Sequence, residues 1–283
     1  MKTLLFLLSI LIQSTLMVEA ANSTSNNIEN IDLNIKDHEV AVTFLGLSEG
    51  ESTLIQGSNG ENILVNAGGK ETDAELEGWL YLYDVKEISK LILTKNELEL
   101  SEKQINRLIT KYSIKEIITT PELSAHITKK LYVADKPAFV SWSAGTKKTI
   151  LPDLTAEVQF VGNELNEGMD LTLEFFNHRI FLMTSFTPRA EETLLKKNLE
   201  NINVFKIPNY AMEDTLSEKL IQYLNPQISV LFAPEEEEHD PNILVDLHET
   251  WSEIYSTKKH GTVTIKFTDS NYEVITIPVE SDE

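Results

Sequence analysis

The sequence predicts an α+β protein: two mixed β-sheets packed face to face, with helices on the outside. Two observations carry this expectation. From about Glu39 onward, short segments of strand periodicity alternate with segments of helical period. Each half of the chain also begins with antiparallel strands and then passes into alternating strands and helices, with no repeat of fixed period. One mixed sheet from each half is the simplest way to bury both patterns.

Residues 1–20 read as a signal peptide. Lys2 supplies the positive n-region, residues 4–12 are apolar except for Ser9, and Val18-Glu19-Ala20 offers small residues where a signal peptidase cuts. The apolar stretch is short for a bilayer, so cleavage and a secreted or extracytoplasmic location are expected, with no transmembrane span in the mature chain. An uncleaved anchor is the alternative. The chain has no cysteine, which excludes lipoprotein acylation, disulfides and thiolate metal sites. Residues 21–38 are rich in Asn and Ser and poor in large apolar side chains, as a disordered leader is. Residues 39–283 are then a single domain.

The elements follow in order. In residues 40–45, Val40, Val42 and Phe44 alternate with Ala41, Thr43 and Leu45. Residues 52–56 and 62–66 form a hairpin through Gly57-Ser58-Asn59-Gly60, and Ala67-Gly68-Gly69 stops its second strand. Leu76, Trp79, Leu80 and Tyr83 share one helix face. Leu91-Ile92-Leu93 is a buried strand end closed by Thr94. Ser101-Glu102-Lys103-Gln104 opens a helix with a capping box, and Ile105, Leu108, Ile109 and Tyr112 follow at helical spacing. A strand at residues 116–119 precedes a helix with Thr120 as cap and Pro121 in its first turn. Residues 139–186 are strand-rich, with strands at 149–151, 156–161, 170–176 and 179–184, the last two paired through Asn177-His178. Next come a helix over 188–199, a strand at 204–207, a helix over 216–224, a strand at 228–232 and a helix begun by Asp240-Pro241. A hairpin of residues 262–267 and 272–277 ends the chain.

Charge narrows the function classes. There are 45 acidic and 24 basic residues, a net charge of -21, and such a surface repels phosphate backbones. Nucleic acid is therefore not an expected partner. The acidic run at residues 235–238 reads as a solvated loop. His38, His126, His178, His248 and His260 show no ligand spacing and read as surface residues. Ser52, Ser101 and Ser217 lack a nucleophile turn, and Gly68-Gly69 lacks a phosphate-loop pattern.

An ordered set of short stretches resembles the metallo-β-lactamase-fold hydrolases, with the nearest likeness to the exported domain of DNA-internalisation competence proteins and their stand-alone relatives. The set runs from Val42-Thr43-Phe44-Leu45 with Gly50-Glu51-Ser52 through Ile63-Leu64-Val65-Asn66-Ala67-Gly68-Gly69 and Leu91-Ile92-Leu93-Thr94. It continues with Phe181-Leu182-Met183-Thr184, Lys206-Ile207-Pro208 and the Asp240-Pro241 helix start, nearly the whole mature chain. The resemblance implies a four-layer αββα sandwich.

It also implies a metal site, and there the residues depart. After the strand ending in Thr94 the family supplies a histidine, a second histidine or aspartate, and an adjacent Asp-His pair. This chain has Lys95, Glu97, Glu99 and Leu100. The family's aspartate after the first hairpin is Asn66, its bridging aspartate is Phe186, and its His-His-Gly is Asn209-Tyr210-Ala211. Of the ligand histidines, only the last has a counterpart, His239.

Two divalent ions roughly 3.5–4 Å apart need several nitrogen or oxygen ligands and activate a bound water. Lys95 brings a cation to that loop, and Phe186 and Leu100 have no lone pairs to give. Asn66, Lys95, Glu97, Glu99, Leu100, Phe186, Asn209, Tyr210 and His239 are thus expected to line a vestigial pocket, with no metal, no cofactor and no catalytic residue. The expectation is an exported pseudoenzyme that binds a protein or small-molecule partner at the cell envelope. The alternative is a hydrolase with a carboxylate-based site, in which Glu97, Glu99 and His239 hold a hard ion through oxygen and imidazole. Within the pocket, the Lys95 ammonium is expected to pair with Glu97, Glu99 or both, standing where a metal stood. A lysine pointing into water is the other reading of Lys95.

Overall fold

Side-chain alternation in the first strands sets the layers. β1 (Val40–Phe44), β2 (Thr53–Gly57) and β3 (Asn62–Val65) pair as an antiparallel meander. Val40, Val42, Phe44, Ile55, Ile63 and Val65 point into one buried core. Leu45, Leu54 and Leu64 point to the opposite face, into another. A strand buried on both faces must lie between two covered surfaces, and this one does. The computed structural model describes residues 30–96, 101–129, 131–133, 136–212, 215–232 and 239–278.

Parallel strands then extend the meander: β4 (Lys90–Leu93), β5 (Glu116–Thr119) and β6 (Ala138–Ser141). The crossovers are α1 (Asp73–Leu82), α2 (Glu102–Lys111) and α3 (Pro121–Ile127). Their apolar faces, including Leu76, Leu80, Ile105, Ile109 and Leu123, fill the outer core of this sheet. The capping box at Ser101 is formed as the sequence predicts, and Thr120 caps α3 through the Leu123 amide.

The second half repeats the scheme. β7 (Lys147–Leu151), β8 (Leu154–Val161), β9 (Met169–Phe175) and β10 (His178–Leu182) are antiparallel. β11 (Val204–Lys206), β12 (Ile228–Leu231) and β13 (Glu253–Ser256) follow in parallel. α4 (Pro188–Leu194), α5 (Glu218–Leu224) and α6 (Pro241–Glu249) cover its outer face. After the short α7 (Thr257–His260), the hairpin of β14 (Thr262–Phe267) and β15 (Tyr272–Ile277) joins the first sheet beside β1. The sheet orders are β15-β14-β1-β2-β3-β4-β5-β6 and β13-β12-β11-β10-β9-β8-β7. Sheet faces sheet across one core and helices cover both outer faces, so the architecture is the αββα sandwich.

Four details differ from the sequence reading. The helix expected over 188–199 ends at Leu194, because Leu199 and Ile202 must turn inward to fill the core beneath it. The β9–β10 turn is Phe176-Asn177, one residue early, and His178 begins β10. That register makes His178 a buried residue, 6% exposed between Phe267 and Tyr272, and not a surface one. β13 and α7 were not anticipated: β13 is half-exposed at the sheet edge and lacks an apolar alternation. Residues 30–38 hold no helix or strand, yet Ile31 donates its amide to the Leu82 carbonyl at 2.7 Å and packs with Leu33 on the outer core. Contact with the domain therefore begins near residue 31 instead of 39. Residues 1–29, and with them the expected signal peptide, lie outside the described residues, and among those described no helix is long and apolar enough to cross a membrane.

Candidate functional site at the strand ends

The two sheets are joined where β4 ends. Met169 donates its amide to the Thr94 carbonyl at 2.7 Å, and Lys95 forms an isolated antiparallel bridge with Gly168. Glycine is required there: a β-carbon on Gly168 would lie 2.3 Å from the Thr94 oxygen. Beside this junction the Thr184 hydroxyl donates to that of Thr94 at 2.8 Å. Asn66 follows β3 in the left-handed region, at φ 56°, which asparagine tolerates better than most residues. Its Oδ1 accepts the Thr94 amide and its Nδ2 donates to the Thr94 hydroxyl, both at 3.0 Å. The carboxamide is thereby fixed as a structural tie between strand ends.

Three buried ionisable side chains lie behind the junction. The Lys206 ammonium pairs with Glu51 and donates to the Met183 carbonyl at 2.9 Å, with the Phe232 ring 5.8 Å away. Burial pulls the Lys206 ammonium below its ordinary pKa, and Glu51 opposes that pull. Asp170, fully buried in β9, accepts the amides of Thr184 at 2.6 Å and Ser185 at 2.8 Å. Its second oxygen has no hydrogen-bond partner among the described residues. Burial pushes the Asp170 carboxyl up to about 7, against the pull of those two amides. Glu51, Asp170 and Lys206 were missed in the sequence. The available signal was a charge placed inside an apolar strand, as in Val204-Phe205-Lys206-Ile207 and Met169-Asp170-Leu171.

In front of the junction lies a cavity of about 750 Å³, lined among others by Lys95, Asn96, Thr184, Phe186, Asn209 and the connection from Asn163 to Glu167. The Asn96 amide donates to the carbonyls of Gly162 and Glu167, both at 2.8 Å, and its buried Oδ1 has no partner among the described residues. Glu167 is held by Thr187 at 2.8 Å and by the Arg189 fork, whose Nε approaches to 2.9 Å. Burial raises the Glu167 pKa, but the hydrogen bonds from Arg189, Thr187 and the Glu164 amide outweigh it and leave the carboxyl below its ordinary value.

The expected pocket residues divide into groups. Lys95, Phe186 and Asn209 share the cavity, and Asn66 stands beside it through Thr94. Tyr210 and His239 meet each other, the His239 Nδ1 donating to the Tyr210 carbonyl at 2.7 Å. Asn209, Tyr210 and Ala211 form a tight turn with φ of 44°, 56° and 58°, an uncommon run of three left-handed residues. Glu97, Glu99 and Leu100 lie outside the described residues, and with them the expected pairing of Lys95.

Solved structures with the same architecture can now be set beside the chain. The metallo-β-lactamase fold protein YhfI from Bacillus subtilis superposes with a TM-score of 0.57 at 12% identity, covering 77% of this chain and 96% of that one. Zn²⁺-bound PqqB from Methylobacterium extorquens gives a TM-score of 0.50 at 10% identity, covering 76% and 97%. No family model and no curated protein matches the sequence. The chain therefore has the metallo-β-lactamase fold.

A metal is implied by that fold, and the described residues do not fit one. Among them no group of three or more His, Asp or Glu side chains is placed to hold a metal ion. At the strand ends, the Asn66 carboxamide is engaged with Thr94, Phe186 lacks lone pairs, and Glu51 is already paired with an ammonium.

Proposed function

We propose that this chain is an exported pseudoenzyme of the metallo-β-lactamase fold, which binds a partner or small ligand at the cell envelope and performs no metal-dependent hydrolysis. The observation that supports this reading most is the donor set at the strand ends. An asparagine bonded to its neighbour and a phenylalanine stand close to where a hydrolase would gather carboxylates and imidazoles. Zn²⁺-bound PqqB illustrates that an architecture of this kind can hold zinc. Lys206 lies in a stretch that resembles the family's, so we take it as part of the scaffold and not as a substitute for a lost ion. Export rests on the n-region, apolar stretch and small residues of the first twenty positions.

The test is hydrolysis of β-lactam, phosphodiester and thioester substrates by the purified protein with added zinc or manganese. Rates equal to buffer are expected. Turnover that is abolished by His239→Ala would favour the hydrolase with a carboxylate-based site.

A further inference from the structure

We infer that the cavity in front of the β4–β9 junction takes a neutral, polyhydroxylated ligand, a saccharide. The inference rests on the binding-module reading above and names its ligand class.

Three properties of the cavity converge on that class. At about 750 Å³ it lies in the size range of small-molecule sites, with room for more than one sugar ring. Its walls carry four carboxamides, on Asn96, Asn163, Asn166 and Asn209. A carboxamide offers donors and an acceptor side by side, which suits adjacent hydroxyls that must each give and receive a hydrogen bond. Phe186 supplies an aromatic ring for the apolar C–H face of a sugar ring.

Charge excludes the competing classes. Glu122 and Glu164 line the cavity against Lys95 and His126, Glu167 is already engaged by Arg189, and the whole chain carries -21. Phosphorylated or polyanionic ligands are repelled by such a wall. A purely apolar ligand would leave the amides and carboxylates desolvated.

Calorimetric titration of the purified protein with glucose, maltotriose, N-acetylglucosamine and its β-1,4-linked trimer tests the inference. At least one of these should bind with a Kd of about 1 mM or tighter. Phe186→Ala and, independently, Asn163→Ala should each weaken that binding tenfold or more, with far-ultraviolet circular dichroism unchanged. Tyr132→Ala, an exposed aromatic outside this cavity, should leave it unaltered. No heat with any of the four sugars at tens of millimolar overturns the saccharide assignment, as does binding that neither cavity variant weakens. Metal content is measured on the same preparation. Failed binding without metal removes the ligand class and leaves the pseudoenzyme reading in place. Sugar binding together with stoichiometric zinc keeps the ligand class and removes that reading.

Discussion

Lys206 and Glu51 are 4% and 2% exposed, and ionised groups so deep are tolerated only when each neutralises the other. Lys206→Met should therefore cost about 3–5 kcal/mol, because Glu51 is left buried without its counter-ion. The double variant with Glu51→Leu should recover most of that loss in urea denaturation; simple addition of the two single effects would show that the pair is not coupled. Asp170 makes a separate prediction. A carboxyl that ordinarily titrates near 3.8 and is pushed to about 7 holds its proton more tightly in the fold than in the unfolded chain. Its stability contribution is then complete below the ordinary value and is lost as pH rises through about 7. Asp170→Asn should accordingly gain on the natural protein in melting experiments as pH goes from 5 to 8, by on the order of 2 kcal/mol. A difference that does not change with pH would contradict the burial argument. None of these three residues was legible as a site residue. Sequence reading follows the family's motif positions, whereas the fold brings together charges from β9, β11 and the β1–β2 connection.

At the scale of elements, the connection between β8 and β9 positions the cavity wall, and Glu167 holds that connection. Its carboxylate accepts from Arg189, Thr187 and the Glu164 amide. Glu167→Gln should destabilise the protein by about 1–3 kcal/mol, since a neutral amide cannot accept the full fork. Because the carboxyl is held below its ordinary value, the effect should be full above pH 5 and fade as pH falls through the folded value. An undiminished effect at pH 3 would place its cause in packing instead. Elements with local signals were readable: the capping box at Ser101, Pro121 after Thr120, and the Gly-Ser-Asn-Gly hairpin are all found. Elements defined by tertiary pairing were not. β13 exists because β12 offers it a parallel edge, and α4 stops where the core below needs Leu199.

For the whole molecule, the symmetry of two halves was legible because each half writes the same passage from antiparallel to parallel strands. The return of β14 and β15 to the first sheet was not legible, since no local pattern says which sheet a hairpin joins. The net charge of -21 predicts no DNA binding at physiological salt, and a salt-sensitive micromolar affinity in a mobility-shift titration would reveal a basic groove. The central claim is that this fold has kept its scaffold and lost its metals. Elemental analysis of the purified protein, after dialysis against buffer containing zinc and manganese, tests that most directly. The account predicts well under one transition-metal ion per chain, and one or two zinc, manganese or iron ions per chain would contradict it.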